Sequence, residues 1–138
     1  YVHWGHDMSP EENQYEAGLK FAVSFKKNID FVGKESLLKI KDKKNNKKFV
    51  MLTLKNSKPG EPLLLHDEPI YNNEGIIGRT TSGNFSFNFN KNLAFGYINS
   101  ELSKEDLVKD NLFIEVQKKK YSASIILKPL NSKNIRSI

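Results

Sequence analysis

The sequence predicts a mainly β (α+β) chain: a small antiparallel β-barrel or jelly roll preceded by a short α/β segment. Three observations carry this. From Phe49 onward, β-branched and aromatic runs alternate with turn residues, which makes six or seven short strands in about 80 residues. Gly75, Gly78, Gly83 and Gly96 sit among β-branched and aromatic neighbours, the composition of strands that bend sharply or pass close to other backbone. A lysine-rich run at 41–48 separates this region from a front segment of different character.

At 138 residues the chain suits one domain, or a small domain with a piece of another, and it can bury a real core. It opens at Tyr1 on a dense cluster, His3-Trp-Gly-His-Asp7, and so reads as part of something longer. No apolar run approaches the roughly 20 residues that span a bilayer, so no membrane is expected. The absence of cysteine removes disulfides, thiolate metal sites and cysteine nucleophiles. It suits a reducing compartment, the cytoplasm or the mitochondrial matrix.

The net charge of +6 raises the question of nucleic acid, and its distribution answers it. Asp7, Glu11, Glu12 and Glu16 make the first 19 residues wholly acidic, whereas residues 20–48 hold ten lysines against three acids. The excess is one local patch. Arg79 and Arg136 are the only arginines, and base and phosphate readout leans on the bidentate arginine fork. No nucleic-acid partner is expected.

In the front segment, Ser9-Pro-Glu-Glu12 has the form of a capping box and predicts a short helix or turn ending before Gly18. His3 and His6 are three apart beside Asp7, but Gly5 lies between them and the third histidine, His66, is far along the chain. The expected structure is a hydrogen-bonded turn, with no metal. Leu19, Phe21, Val23 and Phe25 alternate and predict a strand. Residues 34–40 predict a short helix that packs Leu37, Leu38 and Phe31 inward. The lysine run then marks a module boundary.

Residues 49–54 read as a buried strand, followed by a turn at 57–60. Residues 63–65 and 68–71 read as short strands, with Pro69 at an edge or an entry position. Asn72 to Gly75 turns the chain into the glycine-rich strand. Phe85, Phe87 and Phe89 alternate as a buried β face. Residues 93–98 form a further strand, Ser103 to Asp106 offers a cap for a helical turn, and residues 112–116 and 121–127 form a hairpin around Lys118, Lys119 and Lys120. Pro129 stops it, and 131–138 is a tail.

No catalytic signature is present: no phosphate loop, no dinucleotide-binding glycine pattern, no nucleophile elbow and no His-Glu-x-x-His. The spacing of Gly75, Gly78 and Gly83 in a strand-rich context points to bends in a barrel. The residues alone thus predict a β-barrel module with an α/β preface and no nameable activity.

The motifs add a resemblance. Pro69-Ile70, then Gly78-Arg-Thr-Thr-Ser-Gly83 and Leu93-Ala-Phe-Gly-Tyr-Ile98, resemble the C-terminal barrel of the aminomethyltransferase (glycine cleavage T-protein) family, as do Ala123 and the closing Pro129. The front agrees independently: His3-Trp-Gly-His-Asp7, Glu16-Ala-Gly-Leu19 and Asp30-Phe-Val-Gly-Lys-Glu-Ser-Leu37 resemble the end of the family's folate-binding domain. They are most similar to the dimethylglycine and sarcosine dehydrogenase branch.

The resemblance implies residues 1–45 as the end of a folate-binding domain, 46–130 as the barrel and 131–138 as a tail. It implies tetrahydrofolate as one-carbon acceptor, with FAD in the parent protein if the dehydrogenase branch is right, and a methylated amine as substrate. The family's catalytic aspartate and its acidic pteridine contact would lie upstream of Tyr1, so no catalytic residue is assigned. Trp4, Lys26 and Lys27 are the implied cofactor contacts, Lys26 or Lys27 standing where relatives place a basic residue. The leucine after Pro129, where relatives often have an aromatic, is a departure.

The expected partner is the upstream folate-binding domain of the same parent, and without it Trp4, Phe21 and Phe25 should be partly exposed and promote self-association. A T-protein and a non-catalytic folate-binding paralogue are the alternatives. The paralogues carry a cysteine-containing motif where this chain has His3 to Asp7. Against single-stranded RNA, a titration at low salt is expected to show no binding, since phosphate-driven binding would appear there first and fade as salt rises.

Overall fold

The computed structural model describes residues 2–103, 107, 111–127 and 130. Among them lie a 3-10 turn at Lys20–Ala22, one helix, α1 (Lys34–Ile40), and six strands: β1 (Lys47–Leu54), β2 (Pro69–Tyr71), β3 (Ile76–Ser86), β4 (Lys91–Asn99), β5 (Leu112–Val116) and β6 (Lys119–Ile126). The strands close into an antiparallel barrel in the order β1-β4-β3-β2-β5-β6. None of the described helices is long and apolar enough to cross a membrane.

Alternation builds the interior. Leu52 and Leu54 on β1, Ala94 and Ile98 on β4, Leu112, Ile114 and Val116 on β5, Ile70 on β2 and Ala123 on β6 all point inward and pack together. Each fully buried Leu or Ile contributes about 1.5–3 kcal/mol. The intervening residues face out, so the outer wall of β1 and β4 carries Phe49, Phe95 and Tyr97. Phe49 lies 5.1 Å from Phe95 and 5.2 Å from Tyr97, ring centre to ring centre. The strand expected to be buried is therefore two-sided, with a second apolar face outside the barrel.

The glycines serve close approach. A Cβ on Gly78 would stand 2.0 Å from the Tyr97 carbonyl oxygen, and one on Gly96 would stand 2.5 Å from that of Arg79. Both lie where β3 and β4 press together. The same strand, β3, shifts register twice: against β4, Thr80 pairs with Gly96 and Ser82 with Phe95, leaving Thr81 as a bulge, and against β2, Ile70 pairs with Gly78 and Tyr71 with Ile76, leaving Ile77 as a second irregularity beside Gly78.

Other expectations are corrected. Residues 19–25 form no strand; Phe21 is 86% exposed, and the closed barrel leaves no free edge for another strand to join. Leu38 and Phe31 are exposed, not packed inward, and no residue of α1 is buried; Leu37 is half-buried, and its carbonyl accepts a 3.1 Å bond from the Tyr15 hydroxyl. Residues 63–65 also form no strand, since the Leu65 amide is held by Glu68 Oε1 at 2.7 Å while Leu64 alone turns inward. Of the three alternating phenylalanines only Phe85 is buried; β3 ends at Ser86 and Phe87 is 80% exposed.

The closing hairpin turns on Gln117 and Lys118, both with positive φ, while Lys119 and Lys120 belong to β6. Pro69 begins β2 and occupies an entry position. Of the helical turn expected at 103–106, only Ser103 is described; its carbonyl accepts the Leu107 amide at 3.1 Å, and Leu107 is buried. Pro129 and the tail lie outside the described residues.

Replacing Gly78 with alanine should cost about 3 kcal/mol or more, because its obstacle is backbone that cannot give way. Urea unfolding of Gly78→Ala against the parent chain measures it, and a midpoint within error of the parent would contradict the packing described.

Candidate functional site

The front of the chain lies over the outer wall of β1, β4 and β3. Its first loop is closed by its own backbone: the Asp7 amide donates to the His3 carbonyl at 2.8 Å and the Gly5 amide to the Met8 carbonyl at 2.7 Å. Gly5 has φ +92, a conformation that a side chain at this turn would strain. The Asp7 carboxylate then does two things. Oδ2 accepts the His3 amide at 2.8 Å, and Oδ1 accepts the hydroxyls of Thr81 and Ser82, each at 2.6 Å.

The bulge makes that double grip possible. In a regular strand, neighbouring side chains point to opposite faces; here Thr80 points inward while Thr81 and Ser82 both reach the outer face and one carboxylate oxygen. Thr80, fully buried, is bound to Glu68 instead: its hydroxyl accepts the Glu68 amide at 2.9 Å and donates to the Glu68 carboxylate. The Thr-Thr-Ser run thus serves both walls of the strand.

Behind the loop, the capping-box residues form a turn and not a helix. Glu12 Oε2 accepts the Ser9 amide and hydroxyl, both at 2.8 Å, while Oε1 pairs with Lys47 on β1. The Glu16 carbonyl accepts the Phe49 amide at 2.9 Å, tying the turn to the barrel strand. Burial alone would raise the Glu12 carboxyl, but the hydrogen bonds from Lys47 and Ser9 and the Lys47 charge outweigh it and hold the pKa below the ordinary 4.5.

Tyr97 lies under this turn. Its hydroxyl is buried without a partner, and burial together with the charges of Glu12, Asp7 and Glu16 pushes its pKa up to about 12. It stays a neutral phenol at any physiological pH. The Lys47 ammonium lies 5.0 Å from the centre of its ring. A polar cavity of about 280 Å³ opens beside it, lined by His6, Glu12, His66, Arg79, Thr81 and Tyr97 among others.

His66, distant in sequence, is near in space: its ring centre is 6.5 Å from that of His6, which is 4.8 Å from that of His3. His66 Nδ1 lies 2.9 Å from Asp67 Oδ2, and Arg79 pairs with the same carboxylate. The His66 contact and the Arg79 charge hold the Asp67 pKa below its ordinary value. Even so, among the described residues no group of three or more His, Asp or Glu side chains is placed to hold a metal ion.

Trp4 stands on the closed loop and is 65% exposed. Lys26 and Lys27 are exposed on the segment before α1. The residues that hold the loop, Thr81 and Ser82, carried a visible motif but no sign of their partner, because Asp7 is 74 residues away from the nearer of them.

The model of the glycine cleavage T-protein C-terminal barrel domain matches residues 47–131. Dimethylglycine dehydrogenase, mitochondrial, from Homo sapiens is 37% identical over 127 residues, which cover 92% of this chain and 14% of that protein. Aminomethyltransferase from Listeria monocytogenes serotype 4b is 34% identical over 126 residues, covering 91% of this chain and 33% of the relative. Among solved structures, a glycine cleavage system aminomethyltransferase T from Bartonella henselae superposes with a TM-score of 0.75 at 25% identity, covering 91% of this chain and 34% of that one. The chain therefore spans about a seventh to a third of the length of these relatives.

A depressed carboxylate stabilises the fold above its unfolded pKa and loses that contribution as pH falls through the folded value. Stability should accordingly drop as pH falls from about 4.5 toward the lowered Glu12 value. Thermal unfolding between pH 6 and pH 3 should show this loss, and Glu12→Gln should flatten that part of the profile.

Proposed function

The chain belongs to the glycine cleavage T-protein family, whose C-terminal barrel domain it carries at 47–131, and from that premise we propose that it is the C-terminal module of a tetrahydrofolate-dependent one-carbon transfer enzyme of the dimethylglycine or sarcosine dehydrogenase type. The observation that carries this reading is the reach of the similarity beyond the barrel: the match to dimethylglycine dehydrogenase covers 92% of the chain, front segment included. On this reading residues 1–45 are the end of a folate-binding domain, 46–130 the barrel and 131–138 a tail. The parent is an enzyme of the cytoplasm or the mitochondrial matrix, and a methylated amine is its substrate.

The front segment suits that assignment. Trp4, Phe21, Ile29 and Val32 are all exposed, an apolar surface that calls for a covering partner, and the rest of the folate-binding domain is the proposed one. Left uncovered, the same face favours self-association. Within a folate site, the exposed Trp4 indole offers a flat surface for stacking, and Lys26 and Lys27 offer cations to carboxylates. These donors fit the ring and the glutamyl end of tetrahydrofolate, which when bound supplies the amine that accepts the one-carbon unit.

The chain's own share is to shape one wall of the site and keep water from it. The Asp7 carboxylate is engaged by three hydrogen bonds within the chain and Glu12 by Lys47 and Ser9, so neither is assigned the steering role. The steering carboxylate is accordingly proposed upstream, and FAD, if the dehydrogenase assignment is right, is held there too. A T-protein is the second reading, supported by the aminomethyltransferase relatives.

The 138 residues alone should form no methylene-tetrahydrofolate from dimethylglycine or sarcosine, whereas the parent protein containing them should form it in a folate-dependent manner. Quantifying that product for both proteins is the test. Turnover by the short chain, or a parent whose product formation ignores tetrahydrofolate, would overturn the proposal.

A further inference from the structure

We propose that Asp7 is a positioning residue, which fixes the Trp4 loop on the barrel and so presents Trp4 to its ligand. The proposal rests on the folate reading of Trp4 given above. Asp7 itself is 1% exposed and touches no ligand surface. One of its oxygens closes the loop on the His3 amide and the other takes the Thr81 and Ser82 hydroxyls, so a single side chain sets both the shape of the loop and its place. Trp4 lies inside the span that this carboxylate closes, and its own side chain remains 65% exposed.

The barrel end of the contact is built for the purpose. The register shift between Thr80 and Ser82 places two hydroxyls on one face, and Thr80, bound to Glu68, pins the strand from the other side. Orientation of a ring by a few tenths of an ångström decides stacking and near-attack geometry, so a residue that never meets the ligand can still govern its binding.

Trp4 is the chain's only tryptophan, and its time-resolved fluorescence anisotropy therefore reports this loop alone. Asp7→Ala should at least double the amplitude of fast local Trp4 motion. The Thr81→Val/Ser82→Ala pair, which leaves the loop sequence intact, should do the same, and combining all three should add little, since they break one interaction. Asp7→Asn should lie between, because its carbonyl can face the His3 amide while its NH2 meets the hydroxyls. In the parent enzyme these variants should raise KM for tetrahydrofolate about tenfold with kcat nearly unchanged, the sign of lost binding that is uniform along the reaction.

Unchanged Trp4 motion in both the Asp7→Ala and the hydroxyl-free variants overturns the proposal. So does Trp4 motion that increases only when tertiary circular dichroism of the barrel is lost, or that leaves KM unaltered. A wild-type parent indifferent to tetrahydrofolate sinks the folate reading instead, and is seen before any variant is compared.

Discussion

The buried carboxylate of Asp7 governs how the front of the chain meets the barrel. A charge taken out of water is costly, and it is tolerated here because three donors converge on it. A hydrogen bond to a charged group contributes about 1.5–3 kcal/mol, so this cluster outweighs an exposed ion pair such as Lys44 with Glu101. It also fixes a register: two hydroxyls on one face exist only at the bulge, and the loop can dock in one place. The Glu12 to Lys47 pair and the Glu16 carbonyl follow the same seam and extend the contact along β1.

The barrel supplies the rigid side of this arrangement. Closure removes every free edge, and the tight pairing of β3 with β4 requires glycine at 78 and 96. With the interior filled by aliphatic side chains, the outer wall of β1, β4 and β3 becomes the working surface. Phe49, Phe95 and Tyr97 give it an apolar ladder, and Thr81 and Ser82 give it two donors. The front segment, by contrast, has little core of its own and leaves Phe21 and Val32 in solvent. That division, a closed barrel carrying an open preface, supports the proposal that another domain covers the front segment.

Much of the barrel was legible in the sequence. Apolar, β-branched and aromatic runs marked β1, β4, β5 and β6, turn residues marked the hairpins, and the Ser9 to Glu12 box announced the hydrogen-bonded turn found there. Periodicity misled where no partner strand existed: residues 19–25 alternate well, but a strand needs a neighbour to satisfy its backbone, and the closed barrel offers none. It misled again at Phe87, where alternation outlives the ladder, and the apolar run Leu63 to Leu65 was read as a strand though it pairs with none. The glycines were legible as close approaches, and the register shifts of the strand fall at Ile77, beside Gly78, and at Thr81.

The sequence by itself determined the barrel, the family motif and the separation of an acidic front from a lysine-rich run, because these depend on local pattern and composition. Only the tertiary structure decided that Asp7 meets Thr81 and Ser82, that His66 comes to His6, and that Tyr97 is buried beneath three carboxylates. These are contacts across tens of residues, set by strand order and by one residue of register shift. Local pattern carries no record of either.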